Sequence, residues 1–253
     1  MAVPVVQFPI FLAVRVLGML VAALLFIWTL HFRGGLALIS DNKDHIFNEA
    51  RKAKGLRKGG KRKAFSGHLE LDGACVACVA RCIDAAMLAY KTVSGTKNFK
   101  KLVHLTLQFV AFFLSLIGIW AALKFHNDKG IDNFYSLHSW LGLVSIFLFG
   151  IQWSAGFVTF WYPGGSRNSR ATLLPWHVFF GVYIYGLSIA TTVTGLLEKA
   201  TFLQTSKVIL RYSNEALLIN SLGVLIVLLG GLVILAVIAP SNAKGDIDRG
   251  LAE

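Results

Sequence analysis

Five apolar runs, residues 8–30, 102–123, 137–161, 176–197 and 217–239, constrain this chain more than anything else in it. Each offers about the 20 apolar residues that a hydrocarbon core roughly 30 Å thick demands of a spanning helix. With 55% hydrophobic and 15% charged residues among 253, the chain is too apolar for an ordinary soluble domain and too long for a single span. The expected fold is an all-α membrane protein, a bundle of antiparallel helices.

A shorter run, 74–90, carries Arg81 and Asp84. These lie three apart and can pair on one helix face, which lowers the penalty of burying them without removing it. Counting this run gives a six-helix transmembrane bundle with an atypical or disrupted second helix. The first run lacks a charged leader and is longer than a signal core. It is followed by His31, Phe32 and Arg33 instead of a small-residue cleavage site, so it reads as a retained helix.

Orientation follows from the basic residues of short loops. The stretch 91–101 holds Lys91, Lys97, Lys100 and Lys101 with no acid, and 162–175 holds Arg167 and Arg170 with no acid, so both are expected on the cytoplasmic side. The stretch 124–136 balances Lys124 and Lys129 against Asp128 and Asp132, as suits the outer side. Six spans then put both termini in the cytoplasm. The segment 49–63 has eight basic residues and one acid, and lies on the side that this rule calls outer. It lacks the aromatic interleaving that stacks bases, so the formal charge of +12 reads as loops beside a lipid bilayer and implies no nucleic-acid partner. Cys75, Cys78 and Cys82 follow helical spacing, and with no suitable fourth ligand they read as small helix residues.

Three histidines begin apolar runs: His104, His138 and His177. With alternating helix directions, His104 and His177 fall at one level, on the cytoplasmic side, and His138 at the opposite one. Ligating groups inside spans are functional candidates by default. Two neutral imidazoles facing each other across a bundle can fill both axial positions of a haem iron, leaving one-electron transfer as the chemistry of such a centre. His138 stands where half of a second centre would be, with its partner expected at the outer start of the second helix.

Four stretches, HFRGGLALISDNKDHIFN (31–48), AMLAYKTVSGTKNFKKLVHLTLQ (86–108), ALKFHNDKGIDNFYSLHSWLG (122–142) and WYPGGSRNSRATLLPWH (161–177), resemble the cytochrome b561 family, specifically its plant ascorbate-dependent branch. The resemblance covers about 1–48 and 86–239. It implies one domain over 1–240 with a cytoplasmic tail, 241–253, and two haem b groups. It also implies transmembrane electron transfer from cytoplasmic ascorbate to monodehydroascorbate or ferric iron. Carried over by position, it makes His104 and His177 the cytoplasmic haem-iron ligands and His138 one outer ligand. Lys97, Lys101 and Arg170 become the ascorbate-binding cluster, and Phe125, His126 and Tyr135 the acceptor pocket. A vacuolar or other endomembrane is implied, and a homodimer is left open.

The chain departs from the family over 49–85. Where relatives continue with a His-Pro pair opening an apolar second helix, this sequence has Glu49, the basic stretch and SGHLELDGACVACVARCID. The family's fourth haem ligand is absent, so about one haem is expected here. The alternative reading is a splice or gene-model variant with one haem or none. His45 and His68 are the only nearby substitutes, and either would need a loop ordered around it at an entropic cost.

Overall fold

In a computed structural model, residues 9–32 and 68–239 are described, without the side chains of 68–78 and Lys129. His45, the basic stretch and the tail lie outside the described residues. Those described form six helices: α1 (Ile10–Ile27), continued by a π-helical turn, Trp28–Phe32; α2 (His68–Thr92); α3 (Lys97–Lys129); α4 (Leu137–Phe160); α5 (Arg167–Thr205); and α6 (Asn214–Ile238). All but α2 are long and apolar enough to cross a membrane.

The atypical second helix is continuous. It has 25 residues, as many as α6, so its departure lies in composition and not in length. The described part of α2 extends the expected run 74–90 towards the N-terminus through Leu69, Glu70 and Leu71, good helix formers.

Helix starts are set by hydroxyl caps. Thr96, Ser136, Ser166 and Ser213 each accept a hydrogen bond from the backbone N–H three residues on, which satisfies one of the orphan donors of a first turn. The cap at Ser166 starts α5 ten residues before the apolar run, and the helix passes through Pro175. Much of what the sequence suggests is a loop, 162–175, is therefore the exposed first turns of a 39-residue helix. At the other end of α3, Gly130 adopts the left-handed conformation (φ 66°) that closes the helix, with the Ile131 N–H donating to the His126 carbonyl at 2.9 Å.

The helices form two kinds of interior. Helices α1, α5 and α6 enclose a filled core that includes Val14, Leu25, Leu203, Ile219, Leu222 and Val233. Trp28, almost wholly buried there, donates from Nε1 to Glu215 Oε1 at 2.9 Å. The pairs α2–α3 and α4–α5 pack closely within themselves but enclose a hollow between them. Large apolar side chains such as Phe113, Trp120 and Phe147 point outwards, as lipid contact requires.

Polar ties hold α2 in place. Arg81 and Asp84 do approach, Nη1 to Oδ2 at 3.9 Å, but the closer partner of the buried Asp84 is Tyr185, whose hydroxyl donates to Oδ1 at 2.6 Å. Lys91 Nζ donates to the carbonyls of Ala236, Val237 and Ala239 at the end of α6. A cation on the last carbonyls satisfies groups that the helix cannot pair itself.

Candidate functional site

The hollow is a cavity of about 1090 Å³ whose wall takes in residues of all four inner helices and three candidate histidines, His104, His138 and His177. Antiparallel α4 and α5 fix two levels along it. His138 on α4 meets Thr191 on α5, and Gln152 on α4 meets His177 on α5, fourteen residues apart on each helix. At 1.5 Å per residue the levels are separated by about 21 Å.

At one level His104 and His177 face each other, with ring centroids 6.3 Å apart. Two imidazoles on one metal, with bonds of about 2 Å and ring nitrogens about 1.1 Å from their ring centres, place the centroids roughly 6 Å apart. His104 Nδ1 donates to the Ala86 carbonyl at 2.8 Å, since a carbonyl only accepts, and so Nε2 keeps its lone pair for a metal. His177 is held differently. Gln152 Nε2 donates to its backbone carbonyl at 2.6 Å and lies 3.0 Å from its Nδ1. A carbonyl only accepts, so the shared amide atom is a nitrogen and Nδ1 accepts from it; the neutral ring then carries its proton on Nε2, which becomes free for a metal once Gln152 releases Nδ1. Gly156 is needed beside this ring, because a Cβ there would come within 2.9 Å of His177 Cε1.

At the other level His138 repeats the arrangement of His104. Its Nδ1 donates to the Thr191 carbonyl at 2.9 Å, and Gly195 gives its ring room, since a Cβ there would sit 2.7 Å from Cε1. Among the described residues no ring contact joins His138 to a second histidine. His68 opens α2, with its side chain outside the described residues.

The end beyond His104 and His177 is basic. Lys101, Arg167 and Arg170 line the cavity, and Lys101 Nζ donates to the Phe160 carbonyl at 3.0 Å and sits 5.9 Å from the Trp161 ring centroid. Lys97 is exposed on the first turn of α3 and is not on the cavity wall. The N-termini of α3 and α5 both fall here, adding positive dipole ends to the basic side chains.

Phe125, His126 and Tyr135 line the cavity at the His138 end. Asn133 Nδ2 donates to Asn127 Oδ1 at 2.9 Å, so its Oδ1 is an acceptor and takes the His126 Nδ1 proton at 3.1 Å. The Tyr135 hydroxyl donates to Glu198 Oε1 at 2.8 Å. Partial burial and the neighbouring Glu198 carboxylate hold that phenol in its protonated form well above the usual tyrosine range.

Sequence reasoning missed Gln152, Arg167 and Glu198 as parts of the site. Gln152 carried a signal, being polar within an apolar run, the same signal that singles out the histidines. Glu198 sits one residue beyond the run 176–197 and looked like its end. Arg167 was read as a loop charge that sets orientation.

A membrane-type helical bundle with a central cavity, and with histidines at two levels of its wall, has the architecture of a protein that holds redox groups between its helices. The family model for eukaryotic cytochrome b561 matches residues 74–203, beginning inside α2. The chain is 60% identical over 250 residues to transmembrane ascorbate ferrireductase 2 of Arabidopsis thaliana, covering 98% of this chain and 99% of that one. It is 40% identical over 229 residues to probable ascorbate-specific transmembrane electron transporter 2 of Oryza sativa subsp. japonica (90% and 88%). It is 43% identical over 149 residues to the human lysosomal membrane ascorbate-dependent ferrireductase (58% and 62%). The chain belongs to the cytochrome b561 family, which implies b-type haem.

Proposed function

We propose that this protein carries electrons across a membrane, from ascorbate on the cytoplasmic side to monodehydroascorbate or ferric iron on the other. The observation that carries the reading is the facing pair His104 and His177, 6.3 Å apart, with His138 on the same cavity wall about 21 Å further along. Haem b held by such histidines supplies reversible one-electron chemistry. The names of the relatives supply ascorbate as donor and, for two of the three, iron reduction.

The chain's own residues have separate tasks. Lys101, Arg167 and Arg170, at the positive ends of α3 and α5, bind the ascorbate monoanion and favour loss of its proton as the electron leaves. Lys97, one turn outside the cavity, adds to the attracting field. His104 and His177 would hold the nearer haem iron. Phe125, His126 and Tyr135 form the acceptor pocket. Basic residues in 91–101 and at the start of α5 put that end in the cytoplasm, with both termini on the same side. The host membrane is the vacuolar or another endomembrane; with one outer ligand histidine, His138, among the described side chains, about one haem per chain is expected, and transfer across should then be much slower than with two.

Ascorbate trapped in vesicles carrying the purified protein should reduce an external ferric chelate faster than vesicles without it. Equal rates would remove the transfer reading. A second reading, a one-haem or haem-free variant that does not pass electrons across, is favoured by the absence of a histidine partner for His138 among the described side chains. Its one-haem form predicts normal haem reduction by ascorbate in detergent with no transfer across vesicles, and its haem-free form predicts neither.

A further inference from the structure

We propose that Tyr135 and Glu198 together bind ferric iron directly at the mouth of the acceptor pocket, as a phenolate and a carboxylate on one ion. This rests on reading the His138 end as the acceptor side.

Four observations bear on it. Tyr135 Oη and Glu198 Oε1 are 2.8 Å apart, and both residues line the cavity. Small hard cations with metal–oxygen bonds near 2.0–2.1 Å set adjacent ligand oxygens about 2.9 Å apart in octahedral geometry, so both atoms can move from sharing a proton to sharing a metal with little rearrangement. Glu198 Oε2 is buried without a hydrogen-bond partner among the described residues, and the bond from Tyr135 does not satisfy it. An orphan carboxylate oxygen in a cavity wall is costly unless a cation or donor visits it. Lastly, Glu198 is seven residues, or about 10 Å, beyond Thr191 on α5, so an ion held there lies near the His138 level, towards the mouth.

The donor set suits ferric more than ferrous iron. Phenolate and carboxylate are hard, anionic oxygens, and tyrosinate is an established ligand of ferric haem. On binding, the Tyr135 O–H bond breaks, an O–Fe(III) bond forms and one proton is released. When one electron arrives, Fe(III) becomes Fe(II), the weaker Fe(II)–phenolate bond gives way, the phenol regains a proton from water and the ion leaves. Because partial burial and Glu198 keep the free phenol protonated, binding should strengthen as pH rises. The other titratable side chains lining this end are His126 on α3, His138 on α4 and Lys199 on α5.

The test uses gallium(III), a redox-inert hard ion, presented as its nitrilotriacetate complex to the full-length purified protein in detergent. Titration should produce an ultraviolet phenolate difference signal and release of a proton. Tyr135→Phe should abolish the phenolate signal, and Glu198→Gln should weaken binding at least tenfold. Tyr212→Phe, altering a tyrosine 89% exposed in the loop before α6, should change neither. Absence of the signal in the unaltered protein, or its survival in Tyr135→Phe, would overturn the proposal. Neither result depends on electron flow: gallium binding without transfer across vesicles would remove only the function proposed above, and transfer without gallium binding would remove only this site.

Discussion

The two ends of the cavity are built by the same helices with the same devices, yet among the described side chains one end pairs two histidines across the hollow and the other does not. At the basic end His104 donates to a backbone carbonyl and faces His177 across the hollow. At the opposite end His138 donates to a backbone carbonyl in the same way and has its own clearance glycine, but no facing histidine among the described residues. Paired hydrogen bonds fourteen residues apart on both α4 and α5 set the two levels. The difference traces to α2, whose C-terminal half supplies the Ala86 carbonyl, while the family match begins only at residue 74, within its N-terminal half. A helical scaffold fixes the levels along its cavity without fixing which residues stand at each level, because packing along a helix and the identity of one residue at its start are independent requirements.

The comparison breaks most severely if the paired end proves dispensable. Replacing His104 or His177 with Ala should remove the low-spin haem spectrum of that centre while leaving the helical circular dichroism unchanged, because neither ring is part of the filled core. Unchanged haem loading in both variants would mean that the facing pair is not a ligand pair. Next in size is the incomplete end. Putting a His-Pro-initiated apolar second helix after Asn48 should raise haem from about one to about two per chain by pyridine haemochrome assay. Two bis-histidine haems in the unaltered chain would show instead that His45 or His68 already serves.

Smaller effects sharpen the contrast. Lys101→Ala or Arg170→Ala should slow haem reduction by ascorbate by roughly tenfold, on the order of the 1.4 kcal/mol of one charge-assisted contact, yet leave reduction by a neutral small reductant unchanged. Stopped-flow traces with both reductants decide this, and equal slowing would point to damage at the histidines. Lys97→Ala should have a lesser effect that fades at high salt, because an exposed charge outside the cavity acts only through its screened field. The mildest change expected is Gln152→Leu, which removes the amide beside His177 and should shift the potential of the nearer haem while preserving its low-spin spectrum. An unaltered potential would mean that Gln152 serves only the His177 backbone carbonyl.

Much was legible before any coordinates. The five long apolar runs became helices because no local preference competes with them, and hydrophobicity sums over a whole segment. His104 and His177 could be put at one level from helix direction alone. The ends were less legible. α5 begins at a serine cap and continues through Pro175, details that an apolar run does not report.

What the sequence determined by itself was therefore the five long apolar helices, their alternation and the level of each candidate histidine, since these depend on order along the chain. Only tertiary structure decided what touches what. It put Tyr185 on Asp84, Gln152 against His177 and Tyr135 on Glu198, and left the space between two helix pairs open while α1, α5 and α6 closed on theirs. Those outcomes depend on the rotation of each helix about its own axis and on the clearance that Gly156 and Gly195 allow. A run of apolar residues leaves that rotation undetermined, and packing against neighbouring helices fixes it.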